Sequence, residues 1–139
     1  MPVRRWMSCF ALAASLYGCM QAAQTYALNA GSASATGVTG QVSVERIEGG
    51  QKLVVLQLSQ LPPPERIAPG LREYVVWLQD PRGGEVNVGT LDYDRARQSG
   101  NLLATTDLVT FTVRVTGERD ANTSQPHGVL LAERNVLTN

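Results

Sequence analysis

Residues 74–79, Tyr-Val-Val-Trp-Leu-Gln, form an unbroken apolar run bounded by Arg72-Glu73 before it and by the turn-forming Asp80-Pro81-Arg82-Gly83-Gly84 after it. A run this short, rich in aromatic and β-branched residues and closed by a turn signal, predicts a buried strand and not a helix. Successive side chains of a strand point to opposite faces, so Tyr74, Val76 and Leu78 face one way and Val75 and Trp77 the other. Both faces then need cover. Such a strand belongs in the interior of a layered fold, and the rest of the chain has to supply the layers.

The residues that follow position 40 are suited to that task. Residues 41–47 alternate polar and apolar, Glu48-Gly49-Gly50-Gln51 supplies a hairpin turn, and residues 52–58 place Val54, Leu56 and Leu58 on one face. Pro62-Pro63-Pro64 ends pairing, because proline has no N–H to donate to a ladder, and the long connection to Gly70 predicts a crossing from one sheet to the other. Residues 85–91 form the next strand, with Val86 and Val88 inward. Residues 92–100 read as a polar connection with room for one helical turn. Residues 101–105 and 108–116 form a pair whose second member puts Val109, Phe111, Val113 and Val115 on one face; 118–126 is a polar turn region and 128–133 the last strand. About seven short strands in this span predict an all-β fold, an Ig-like two-sheet antiparallel β-sandwich.

The first residues belong to a different kind of segment. Arg4-Arg5 make a short basic region and residues 6–16 an apolar one, the pattern of a secretory signal, too short for a lasting span of about 20 apolar residues. Leu16-Tyr17-Gly18-Cys19 resembles the lipobox of bacterial lipoproteins, with Tyr17 standing where a small residue is usual. The division that follows is a lipoprotein signal peptide at 1–18, a lipidated Cys19 with a flexible linker at 19–39, and a sandwich at 40–139. The alternative is an ordinary signal peptide cut near Gln21-Ala22-Ala23. Either way the domain leaves the cytoplasm. Cys9 would be discarded with the leader and Cys19 would carry acyl chains such as palmitate, so the folded part holds neither a disulfide nor a thiol ligand. Met20 is not the aspartate associated with inner-membrane retention, so in a Gram-negative envelope the lipobox resemblance implies an anchor in the outer membrane. Residues 20–40 are mostly Ala, Gly, Ser, Thr, Gln and Asn, with Tyr26 and Leu28 the only large apolar side chains, and read as a spacer. At roughly 5–6 Å times the square root of residue number, such a spacer holds a domain a few nanometres from the lipid.

The chemistry-bearing residues exclude several classes. The chain of 139 residues has zero formal net charge, and losing Arg4 and Arg5 leaves the remainder slightly acidic, with Lys52 its one lysine. No basic face exists to neutralise phosphates, so nucleic acid is not a partner. His127 is the single histidine and, with no cysteine in the mature domain, makes neither a structural zinc site nor a multi-histidine copper site; it reads as a loop residue at a strand start. Ser99 and Ser124 lack a recognisable base, and Asp92-x-Asp94 fails the calcium-loop pattern at Ala96 and Arg97. No catalytic, cofactor or metal residue is assigned. Trp77 and Tyr93 are the candidate partner contacts: Trp77 is core if the other sheet covers it, and an interaction patch if it is exposed beside Tyr93 or the proline loop.

Residues 53–133 resemble the C-terminal, extracytoplasmic domain of anti-sigma-K factors, the RskA C-terminal domain family. The resemblance rests on the leucine-then-prolines run from Leu58 to Pro64, Tyr74-x-x-Trp77-Leu78, Gly89, Thr112-Val113-Arg114-Val115, and Ser124-Gln125-Pro126-x-Gly128-x-x-Leu131. It implies a β-sandwich with a sensing or binding role on the envelope side. A cytoplasmic sigma-binding helical domain and a transmembrane helix are not found, and Arg114-Val115-Thr116 stands where the family tends to carry an acidic residue, so sigma-factor inhibition does not transfer. The reading is therefore a non-enzymatic, lipid-anchored envelope module that binds a protein. The alternative is an assembly subunit that pairs through an exposed strand edge.

Overall fold

The computed structural model describes residues 22–31 and 37–138. Two hairpins of alternating residues set the frame. β3 (Thr39–Arg46) and β4 (Lys52–Ser59) pair antiparallel with Val42 opposite Leu56 and Val44 opposite Val54, and a short 3-10 turn at Glu48–Gly50 joins them. β9 (Thr110–Glu118) and β10 (Val129–Leu137) form the second, longer pair, and β5 (Glu73–Gln79) lies against β9 with Val76 opposite Val115 and Leu78 opposite Val113. With β1 (Gln24–Ala27), β2 (Asn29–Ala30), β6 (Glu85–Thr90), β7 (Asp92–Asp94) and β8 (Ser99–Thr106), these strands make two five-stranded antiparallel sheets, ordered β1-β3-β4-β8-β7 and β2-β10-β9-β5-β6. The fold is an all-β sandwich. Its interior is filled by the inward residues of both layers, Val42, Leu56 and Leu58 from the first and Val76, Phe111, Val113 and Leu131 from the second. Burial of these apolar side chains, at about 25 cal/mol per Å², is the main force that holds the layers face to face.

The connection after β4 crosses between sheets as the prolines predict. It contains one helical turn, α1 (Pro64–Ile67), which starts where a proline is tolerated, at the first helical position. Leu61 is fully buried and its N–H bonds the carbonyl of Gln98, so the proline run is fastened to the β7–β8 turn.

Several expectations are corrected. The segment at 19–39 is not a spacer throughout: Gln24–Ala27 pairs with β3 and Asn29–Ala30 with β10, so the sandwich begins at Gln24 and not at residue 40. The reason lies in Tyr26 and Leu28, which pack on the core, while the Tyr26 hydroxyl donates to the Leu137 carbonyl and the Arg134 guanidinium lies 5.7 Å from the Tyr26 ring. Two apolar anchors suffice when a ladder satisfies the backbone between them. The polar stretch 92–100 likewise contains β7 and a turn instead of a helical turn, and the final strand continues to Leu137. There are ten strands in the described residues and not about seven, because the three additional ones are short and sit at sheet edges. Val86 is 61% exposed, although it lies opposite inward-facing Leu78, because β6 is an edge strand and a cleft stays open between it and the end of β8. Val109, also 61% exposed, lies before β9 begins, beyond the end of the sandwich.

The edges share one device. β1 and β2 are consecutive around Leu28, and β6 and β7 are consecutive around Leu91, so on each side of the sandwich one chain segment passes from the edge of one sheet to the edge of the other. β6 carries a bulge at Val88, where Gly89 adopts φ +131°, a conformation that L side chains rarely take. Comparing a chain that starts at residue 22 with one that starts at residue 32 tests the N-terminal edge. Loss of the Tyr26 and Leu28 contacts is expected to lower stability by about 2 kcal/mol, a fall of roughly 10 °C in Tm, whereas removing a free spacer would leave Tm unchanged.

Candidate functional site

The strand β5 buries both faces, as its sequence demands, but not both against the other sheet. Tyr74, Val76 and Leu78 belong to the core between the layers; Val75 and Trp77 point to the outer face of the second sheet. Residues 119–128 fold back over that face and cover it. Asn87, opposite Trp77 on β6, donates from its side-chain amide to the carbonyls of Ala121 (2.9 Å) and Thr123 (3.0 Å). Trp77 Nε1 donates to Thr116 Oγ1 at 2.8 Å, the Thr116 hydroxyl donates to Glu118 Oε1 at 2.7 Å, and the His127 N–H donates to both Glu118 oxygens at 3.2 and 3.3 Å. The Glu118 side chain, 3% exposed, is thus the acceptor that ties the end of the loop to the sheet. Gly128 completes the join: a Cβ there would collide with the Gly117 carbonyl oxygen.

Beside this network a cleft of about 400 Å³ opens between the 68–71 connection and the loop. Ala68, Pro69, Leu71 and Val129 form its apolar wall, and Glu118, Arg119, Asp120, Thr123 and His127 its polar side. The Arg119 guanidinium lies along Gly70, whose φ of +85° is a conformation that L side chains rarely adopt. An apolar surface with a few convergent hydrogen-bonding groups is the usual make-up of a binding site. Among the described residues no group of three or more His, Cys, Asp or Glu side chains is placed to hold a metal ion.

The residues singled out from the sequence are not brought together. Trp77 is fully buried, beneath the 119–128 segment and not beneath the other sheet, so it is not an exposed contact. Tyr93 sits between the layers at the opposite strand of the fold, edge-on to Tyr74 with ring centroids 5.4 Å apart. The Tyr93 hydroxyl donates to the Leu61 carbonyl at 2.7 Å and the Tyr74 hydroxyl to the Pro62 carbonyl. Both tyrosines therefore brace the proline run; Trp77 presents no exposed surface, while Tyr93 is half-buried. Burial pushes both hydroxyl pKa values up. Arg95 closes the outer side through an ion pair with Glu65 at 2.5 Å, and this hydrogen bond holds the Glu65 carboxyl below its ordinary value. Cys19 lies outside the described residues. Sequence reasoning left Glu118 in a polar turn, yet the alternation of β9 carries Thr116 and Glu118 onto the face of Trp77, and that periodicity is the signal that could have found it.

Compared with known protein families, characterised proteins and solved structures, the chain matches none.

Two outcomes follow from these contacts. Glu118→Ala strips the acceptor from the Thr116 hydroxyl and the His127 N–H, and is expected to cost about 1–3 kcal/mol. In a chain that starts at residue 22 Trp77 is the only tryptophan, so its emission should shift to the red as the cover loosens, while Glu118→Gln, which keeps an acceptor, should shift it less. Tyrosines with raised folded-state values contribute stability that is fully present below their unfolded value near pH 10 and is lost as pH rises above it. Alkaline titration should show tyrosinate absorbance from this pair appearing together with loss of the folded circular-dichroism signal, and Tyr93→Phe should cost about 1 kcal/mol at neutral pH.

Proposed function

We propose that the chain is a non-enzymatic, lipid-anchored β-sandwich of the bacterial envelope, probing or binding a protein partner through its loop end. The observation that carries this reading is the cleft at Glu118, which lies at the end of the sandwich away from the chain's entry. β1 enters beside the ends of β3 and β10, whereas the cleft is built where β9 ends and β10 begins. A domain held by Cys19 would present that end outward.

Three further features support it. The lipobox-like Leu16-Tyr17-Gly18-Cys19 stands directly before the fold, and no helix among the described residues is long and apolar enough to cross a membrane. The resemblance to the extracytoplasmic domain of anti-sigma-K factors implies a two-layer sandwich in a sensing or binding role, and the two sheets agree with the fold it implies. Glu118 is engaged by the Thr116 hydroxyl and the His127 main chain, which suits it to positioning a loop and not to proton transfer. Pairing through an open strand is the weaker alternative, because the edges are two to four residues long at β1, β2 and β7 and bulged at β6. Localisation to the outer membrane, facing the periplasm or the cell exterior, follows from Cys19-Met20.

The reading is tested in a Gram-negative host. Cys19→Ser should move the protein from the membrane to the soluble fraction and remove the acyl mass seen by mass spectrometry. Photo-crosslinkers at Asp120 and Thr123 should capture a protein that one at Ser43, on the outer face of the first sheet, does not; capture only from Ala27 or Val86 would favour the edge-pairing alternative.

A further inference from the structure

Three of the four large apolar side chains left exposed among the described residues, Val86, Val109 and Leu137, occur at one end of the sandwich. Strand register places them there. Leu137 lies opposite Thr110, Val109 directly precedes that residue, and Val86 pairs with Leu78 next to the β5–β6 turn. The Thr138 N–H and hydroxyl both bond the Val109 carbonyl, which fixes Val109 and Leu137 as neighbours. A cleft of about 370 Å³ opens at the same end, with Leu78, Val86, Val88 and Leu108 on its apolar side and Asp80, Thr105, Thr106 and Asp107 on its polar side.

The N-terminal chain arrives at this end as well. The Tyr26 hydroxyl is shared between the Gln24 side chain and the Leu137 carbonyl, so the start of β1 lies beside Leu137. Only residues 20–23 separate Cys19 from Gln24. Five Cα steps, at about 3.3–3.6 Å each when extended, reach roughly 17 Å, little more than half the length of the nine-residue β10 at about 3.3 Å per residue. A lipid-linked residue on so short a lead keeps the entry end within reach of the bilayer surface, and that end is the apolar one.

We infer that the end of the sandwich bearing Val109, Leu137 and Val86 is a membrane-contact surface, seated at the headgroup–acyl boundary of the bilayer that carries the anchor. This inference rests on the lipid-anchor reading. The contact is apolar and shallow: Asp80 and Asp107 at the cleft, Arg82 in the β5–β6 turn and Arg134 over Tyr26 are of both signs, so it does not depend on anionic lipid. The cleft at Glu118 then faces away from the lipid.

The test uses the full chain, processed and acylated in cells and reconstituted in phosphatidylethanolamine–phosphatidylglycerol vesicles containing lipid brominated along its acyl chain. Processing removes Cys9 and acylates Cys19, so a cysteine introduced by Val109→Cys, Leu137→Cys or Ser59→Cys is the single free thiol for an environment-sensitive fluorophore. All three positions are exposed, and Ser59, at the end of β4 opposite Thr39, lies at the far end of the sandwich. Labels at 109 and 137 should be quenched at least threefold more than the label at 59. Equal quenching in acylated, vesicle-bound protein overturns the contact surface and leaves the anchor standing. An unmodified Cys19 in protein that does not float with the vesicles overturns the anchor and this inference with it. Energy transfer between labelled copies at 137 in detergent, without vesicles, would assign this end to a second copy and also overturn the inference.

Discussion

A strand that is apolar on both faces demands two covers, and the rest of the molecule is arranged around meeting that demand. The first cover is the opposing sheet, which takes Tyr74, Val76 and Leu78 into the common core. The second is not a sheet at all but the 119–128 segment, laid over Val75 and Trp77 on the outer face. A loop cannot bury an indole without satisfying its N–H and the loop's own polar groups. Thr116, Glu118 and Asn87 do both, in a relay that runs from the indole nitrogen through a hydroxyl to a carboxylate and on to the main chain of His127. The same carboxylate lines the cleft, so the site and the cover of the central strand are one construction.

The two ends of the sandwich differ in character. At one, three loops meet: the proline connection pinned by Tyr74 and Tyr93, the β7–β8 turn, and the segment over Trp77. Their polar groups are tied down by specific hydrogen bonds, which makes a preformed cleft instead of an adaptable one. At the other end the turns are short, and apolar side chains stand in solvent next to the point where the chain enters. Between the two ends the sheet edges are closed by segments that switch layers.

How much of this was legible from sequence depends on what each residue's neighbours are. Alternation in β3, β4 and β9 is a local property that shows in the sequence wherever one face is buried, and β5 shows instead as a short apolar run closed by a turn. β1, β2 and β7 carry no such pattern, because an edge strand of two to four residues is stabilised by the ladder it joins and not by its own side chains. Tyr26 and Leu28 looked like stray apolar residues in a polar spacer; only the long-range pairing with β3 and β10 gives them a core to reach. Val86 and Val109 fit an inward pattern by spacing, yet Val86 borders a cleft left open against β8 and Val109 precedes the start of β9.

Residue order alone determined that this is a strand-built chain with one doubly apolar strand at its centre, a proline break that changes layers, and a short apolar run at residues 6–16 ahead of Cys19. These are consequences of short-range stereochemistry: side-chain alternation, the missing N–H of proline, and the length of an apolar run. Tertiary structure decided what covers Trp77, that Glu118 is the acceptor holding that cover, that Tyr93 braces the interior, and that the chain joins the fold at Gln24. Each of these depends on residues distant in sequence meeting across a sheet or between layers, and no local pattern specifies which partner arrives.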